Sequence, residues 1–196
     1  MSQKEIQYIN ASQDSAAERF GEAFYRSVRD KIEDFRTIIF LCIGSDRSTG
    51  DSLGPIAGHK LQLSLWDSAD VKVYGTLAKP VHAKNICQVL ENIRAARSNP
   101  FIIAVDACLG KFESVGFLTI GEGPVHPGAG LCKDLPAVGH IAVTGIVNVA
   151  NGMDFAVLQN TRLHLVMLMA DVIHEGILSG LKILRKRDSK IYENIV

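Results

Sequence analysis

The sequence carries no net charge: 21 basic side chains balance 21 acidic ones. No overall field therefore draws the chain to nucleic acid or to an anionic membrane, and recognition must come from a local site. Paired cysteines are missing too. Cys42, Cys87, Cys108 and Cys132 show no CxxC spacing, and Cys42 lies in an apolar run where a thiol packs like a small hydrophobe. That usage fits a reducing, intracellular setting. No stretch reaches the roughly 18 consecutive apolar residues needed to span a bilayer. The amino-terminal MSQKEIQYINASQDSAAERF lacks the apolar core of a signal peptide, so a soluble, cytoplasmic protein without membrane association is expected. Nucleotide signatures are absent as well. Gly44 to Gly50 has a P-loop outline, but the second glycine is followed by Asp51, which repels phosphate, and no GxGxxG follows the strand.

What is present is a compact composition. With 196 residues and 47% hydrophobic content, the chain can bury a core as a single domain spanning 1–196, its polar residues 1–14 expected to be disordered. Phe20, Phe24, Val28 and Ile32 recur every fourth position and predict an amphipathic helix from about Ser15. TIIFLCI, from Thr37 to Ile43, is a continuous apolar run rich in β-branched residues, as in a strand buried on both faces. A helix follows, with Pro55 in its first turn and an end near Trp66. VKVYGT then reads as a strand, Val81 to Ala96 as a helix and FIIAVDA as another buried strand. Such alternation implies an α/β fold with a mostly parallel sheet covered by helices. FLTIGE and HIAVTGIV add strands, one of them antiparallel in a mixed sheet, and a helix over Phe155 to Glu175 precedes the basic LKILRKR. Between those two strands, GEGPVHPGAGLCKDLPAVGH is too rich in glycine and proline for a regular element and reads as a binding loop or lid, or else as a locally mobile segment.

Two carboxylates mark the candidate site. Asp51 follows the first buried strand within a glycine-bearing turn, and Asp106 closes FIIAVDA with no lysine or arginine beside it in sequence. Ligands of open α/β sheets bind beyond the carboxyl ends of the strands, where such acids would stand. Asp51 or Ser52 could instead cap the following helix, and Asp106 could bond the adjacent backbone. If the two acids share a crevice, both cannot easily ionise, and one holds a proton near neutral pH. That pair suits hydrolysis, with the ionised acid activating water and the protonated one polarising a carbonyl. No cofactor is required, although the pair could hold a divalent metal. His82, His126 and His140 are then the available third donors, none in an HxxxH or HxH spacing. Cys108 at the strand end is a further candidate nucleophile.

The segments IIFLCIGSDRSTGDSLGP, VHAKN, IIAVDACLG, GEGPVHPGAG and TGIVNVANGMDFAVLQNTRLHLVM together resemble the YyaC-type sporulation proteins. These are similar in turn to germination proteases, whose G-x-G-N…D-x-LGP and AxDAL segments correspond to Gly44, to Asp51 through Pro55, and to Ala104 through Ala107. Ser45 stands where their asparagine is usual, and this chain is shorter than those proteases. Hydrogenase maturation proteases, a more distant resemblance, place acids at the same two points and add a nickel-binding histidine. The resemblance implies a three-layer α/β/α fold of the phosphorylase/hydrolase-like type and a peptidase in which Asp51 and Asp106 are catalytic. Gly44, Ser45, Ser48 and His126 would shape its substrate groove. It also implies a protein or peptide substrate, such as small acid-soluble spore proteins, and a place in the forespore or spore interior. A non-catalytic sporulation factor that binds a protein partner, and a metal-dependent maturation-type endopeptidase, are the alternatives. Homo-oligomer formation stays open.

Overall fold

A computed structural model describes residues 6–32, 35, 37–66, 68, 70–97, 99–127 and 135–187. Six strands form one mixed sheet in the order β1-β5-β6-β4-β2-β3. Strand β1 is Gln7–Asn10, β2 Thr37–Cys42 and β3 Val71–Tyr74; β4 is Pro100–Gly110, β5 Phe117–Glu122 and β6 Ile141–Val149. The four strands β3, β2, β4 and β6 run parallel, and β5 is antiparallel to both β6 and β1. Helix α1 covers Ala16–Val28, α2 Leu53–Ser64, α3 Ile86–Ala96, α4 Asp154–Gln159 and α5 Leu163–Arg187.

Alternation along each strand divides the core in two. Ile38, Phe40, Cys42, Phe101, Ile103 and Val105 point to the side covered by α1, α2 and α5, whereas Ile39, Leu41, Ile43 and Ala104 point to the α3 side. The result is the expected three-layer α/β/α arrangement. Phe20, Phe24, Phe40 and Phe101 are fully buried on the first side, each contributing about 1.5–3 kcal/mol of burial free energy. Gly21 on α1 faces the Gly176 carbonyl of α5, and the absent side chain lets the two backbones approach. By length and composition, Leu163–Lys186 would also suffice to cross a membrane, contrary to the sequence expectation. Here Val166, Met169, Ile173, Ile177 and Leu181 are buried in the main core, so the apolar character of α5 serves packing.

Three further expectations are corrected. Residues 7–10, within the stretch expected to be disordered, form an edge strand whose Tyr8 lies opposite Thr119. The helix expected over Phe155 to Glu175 is two helices. At the break, Asn160 donates its side-chain amide to the Ala156 carbonyl and Thr161 its hydroxyl to the Val157 carbonyl, side-chain bonds that compete with helix continuation. Helix α3 begins at Ile86 rather than Val81, because Val81 pairs with Ile43 and the Asn85 side chain accepts from the His82 N–H. Of the long loop, residues 128–134 lie outside the described residues, and Val125 and Val138 bridge its two arms.

The order of the strands places the site. From β2 the chain crosses outward over α2 to β3, then returns over α3 to β4 on the other side of β2. Because both crossovers keep one hand, their helices lie on opposite faces, and a crevice opens between the ends of β2 and β4.

Candidate active site

Asp106 does not end its strand. Strand β2 stops at Cys42, opposite Val105, while β4 continues to Gly110 along β6. Asp106 is thus the first β4 residue beyond the end of β2, on the α3 face with Ala104 and half-buried. Its Oδ1 accepts the Ala107 N–H at 2.8 Å.

Asp51 comes to the same place through the turn after β2. Gly44 has φ +140°, a conformation open chiefly to glycine, and a Cβ there would collide with the Asp51 carbonyl oxygen. That carbonyl accepts the Ser45 N–H at 3.0 Å, closing the turn. Asp51 then lies in a short 3₁₀ segment, Gly50–Ser52, leading directly into α2. Capping does not explain it. Neither the 3₁₀ segment nor α2 has a side-chain cap bond, and the Ser52 hydroxyl donates to the Thr49 carbonyl at 2.6 Å. Gly54 permits the close seat of α2, since a Cβ there would meet the backbone of Ile43.

The two carboxyl groups sense one another. Burial raises the Asp106 carboxyl well above the usual carboxylate range, the negative charge of Asp51 raises it further, and the Ala107 N–H only partly offsets this. Asp51 is also raised by burial, but the Ser45 N–H and the charge of His82 favour its ionised form. Of the two, Asp106 is the one whose surroundings favour the protonated form.

The other expected residues divide. Gly44 and Ser45 build the Asp51 turn, and Ser48 sits in it with a buried hydroxyl that has no hydrogen-bond partner among the described residues. His126 is exposed, and no contact among the described residues ties it to either aspartate. His82, offered from sequence only as one of three possible third donors, is the histidine that stands near Asp51. The parallel bridge between Ile43 and Val81, reinforced by the Gly44 N–H donating to the Val81 carbonyl at 2.7 Å, brings His82 to the Asp51 side of the crevice. His140 is structural: its Nδ1 accepts the Ile102 N–H and its ring stacks on Phe101. The signal for His82 lay in VHAKN, where Asn85 fixes the turn by accepting from the His82 N–H and donating to the Pro80 carbonyl.

Beyond Asp106 on the same face, Cys108 accepts a hydrogen bond from Thr144, whose hydroxyl lies 2.6 Å from that of Thr119. Burial raises the Cys108 thiol more than its hydrogen bond with Thr144 lowers it, and Asp106 where ionised raises it again, the reverse of what activates a nucleophile. Among the described residues no three His, Cys, Asp or Glu side chains converge as a metal-ligand set. Asp51, Asp106 and His82 as placed therefore do not form such a set.

The chain is 49% identical over 172 residues to the uncharacterized protein YyaC of Bacillus subtilis (strain 168), covering 87% of this chain and 82% of that protein. Its fold is similar to the crystal structure of a NiFe hydrogenase maturation protease, HycI from Thermococcus kodakarensis KOD1. There the TM-score is 0.47 and the identity 14%, over 77% of this chain and 98% of that one. Residues 8–176 match the family described as "Protein of unknown function (DUF1256)", and the chain belongs to that family.

Proposed function

We propose that the chain is a peptidase that uses Asp51 and Asp106 as a coupled acid pair. The observation that carries this reading is that the turn after β2 sets Asp51 near half-buried Asp106, the first β4 residue beyond the end of β2. Ionised Asp51, held by the Ser45 N–H and beside His82, takes a proton from water as that water attacks a peptide carbonyl. Protonated Asp106 donates a hydrogen bond to the carbonyl oxygen, and proton return to the leaving amine completes the cleavage. A buried, apolar-walled position is what keeps a carboxylic acid protonated for such donation. Through the resemblance of the Asp51 and Asp106 segments to germination proteases, the substrates are spore proteins or peptides derived from them, and the setting is the forespore or spore interior.

The test is cleavage of small acid-soluble spore proteins by the purified chain and by its Asp51→Asn and Asp106→Asn variants. Wild-type cleavage should fall by about a hundredfold or more in each variant, and undiminished cleavage by either would sink the assignment. A second reading, a sporulation factor that binds a protein partner without cleaving it, draws on Met153 and Phe155. Both are exposed, Met153 just before α4 and Phe155 in its first turn, and Leu158 of that helix lies against Gly50 of the Asp51 turn. It predicts no cleavage by the wild type and partner binding that survives both Asn substitutions.

A further inference from the structure

A groove of about 820 Å³ opens along β3, the edge strand nearest the acid pair. One wall is Gln62 of α2 and the other is Val89 and Asn92 of α3, so the groove lies where the two helical layers part around the sheet edge. Its floor is β3 itself. Ile38 lies opposite Val71 and donates its N–H to the Asp70 carbonyl at 2.8 Å. In a parallel ladder this turns the main-chain groups of Asp70, Lys72 and Tyr74 toward β2, and those of Val71 and Val73 outward. Among the described residues no strand pairs with that outward edge. Val71 is buried, so the donor and acceptor of Val73 are the outward pair left open between the two walls, a starting point for strand addition by an extended peptide.

The end of the groove is built and basic. Thr76 and Lys79 exchange backbone hydrogen bonds in a tight turn, and Asn85 bonds both the His82 N–H and the Pro80 carbonyl. Lys79 and His82 are the lining side chains able to carry positive charge, and no carboxylate lines the groove. Lys79 is exposed and makes no ion pair among the described residues. The groove also runs into the site, because His82 both lines it and acts on Asp51.

We infer that this groove takes an extended peptide with an acidic side chain, added to β3 as a seventh strand and anchored at Lys79, so that its chain leads past His82 to the acid pair. The inference rests on the peptidase reading and adds to it the class of substrate. The probe is a fluorescein-labelled octapeptide of alternating threonine and valine with one central glutamate, titrated by anisotropy into the Asp51→Asn protein, which holds substrate without turning it over. A lysine-for-glutamate peptide and a peptide N-methylated at alternate amides are the controls.

The glutamate peptide should bind about tenfold more tightly than the lysine peptide, N-methylation should abolish binding, and Lys79→Glu should invert the charge preference. Val73→Pro removes an outward N–H and no ladder bond, so it should weaken binding while circular dichroism stays unchanged. The N-methylated peptide makes the same test should that variant not fold. Absence of binding by the glutamate peptide, or equal binding of all three peptides, would overturn the inference. Cleavage by the wild type is scored separately: binding without cleavage removes the peptidase reading alone, and cleavage indifferent to Lys79→Glu and N-methylation removes the groove alone.

Discussion

Gly44→Ala tests whether the turn after β2 exists to place Asp51. At φ +140° the new side chain meets a conformation that costs about 1–3 kcal/mol for a residue with a Cβ. That Cβ would collide with the Asp51 carbonyl oxygen, with Pro55 Cδ a further 3.1 Å contact, so the carbonyl must retreat by roughly 1.5 Å to reach ordinary contact. Retreat breaks the Ser45 N–H to Asp51 carbonyl bond, worth about 1 kcal/mol net. The sum is about 2–4 kcal/mol, which for a chain of this size lowers the thermal midpoint by roughly 4–16 °C. Because Asp51 shifts with its carbonyl, peptide cleavage should fall by about a hundredfold at temperatures where the variant is still folded. Urea unfolding gives the stability, and cleavage of spore proteins gives the activity. A variant within about 0.5 kcal/mol of wild type, or one that is destabilised yet fully active, would refute the claim that this glycine positions the carboxylate.

Three more outcomes follow. The raised Asp106 carboxyl binds its proton more tightly in the folded chain than in the unfolded one, so its ionisation costs stability as pH rises through the folded value and costs nothing below the ordinary carboxylate range. Asp106→Asn keeps the Ala107 hydrogen bond and removes that cost. It should be more stable than wild type near neutral pH, with the difference closing in acid; a variant less stable at neutral pH would contradict this. In a Cys132→Ser background, alkylation should reach exposed Cys87 first, with Cys108 slow and Cys42, pushed up to about 12 by burial, slowest. Cys108→Ala should retain cleavage, and its loss would return Cys108 to the list of nucleophiles.

What the sequence made legible was what each segment carries locally. Thr37 to Ile43 reads as buried because every residue of β2 is apolar or β-branched, and the acids stand out because they interrupt such runs. What it hid depends on partners far along the chain. Strand β1 is polar and short, and only pairing with β5, more than a hundred residues later, makes it a strand. Asp106 looked terminal because the apolar run ends there, whereas β6 carries the ladder on to Gly110. His126 and His82 were equal as letters, and the bridge between Ile43 and Val81 separates them by placing one at the crevice. The break between α4 and α5 turns on two side-chain bonds at Asn160 and Thr161, which apolar periodicity does not register.

The coupling of the two acids is measured most directly by following the side-chain carboxyl carbon of Asp106 by NMR as pH is varied, in the wild type and in Asp51→Asn. The account predicts that Asp106 keeps its proton well above the usual carboxylate range, and that removing the Asp51 charge moves its midpoint downward while burial still holds it raised. An Asp106 that titrates like a free aspartate, or one whose midpoint ignores Asp51, would contradict the coupled pair on which the proposed chemistry stands.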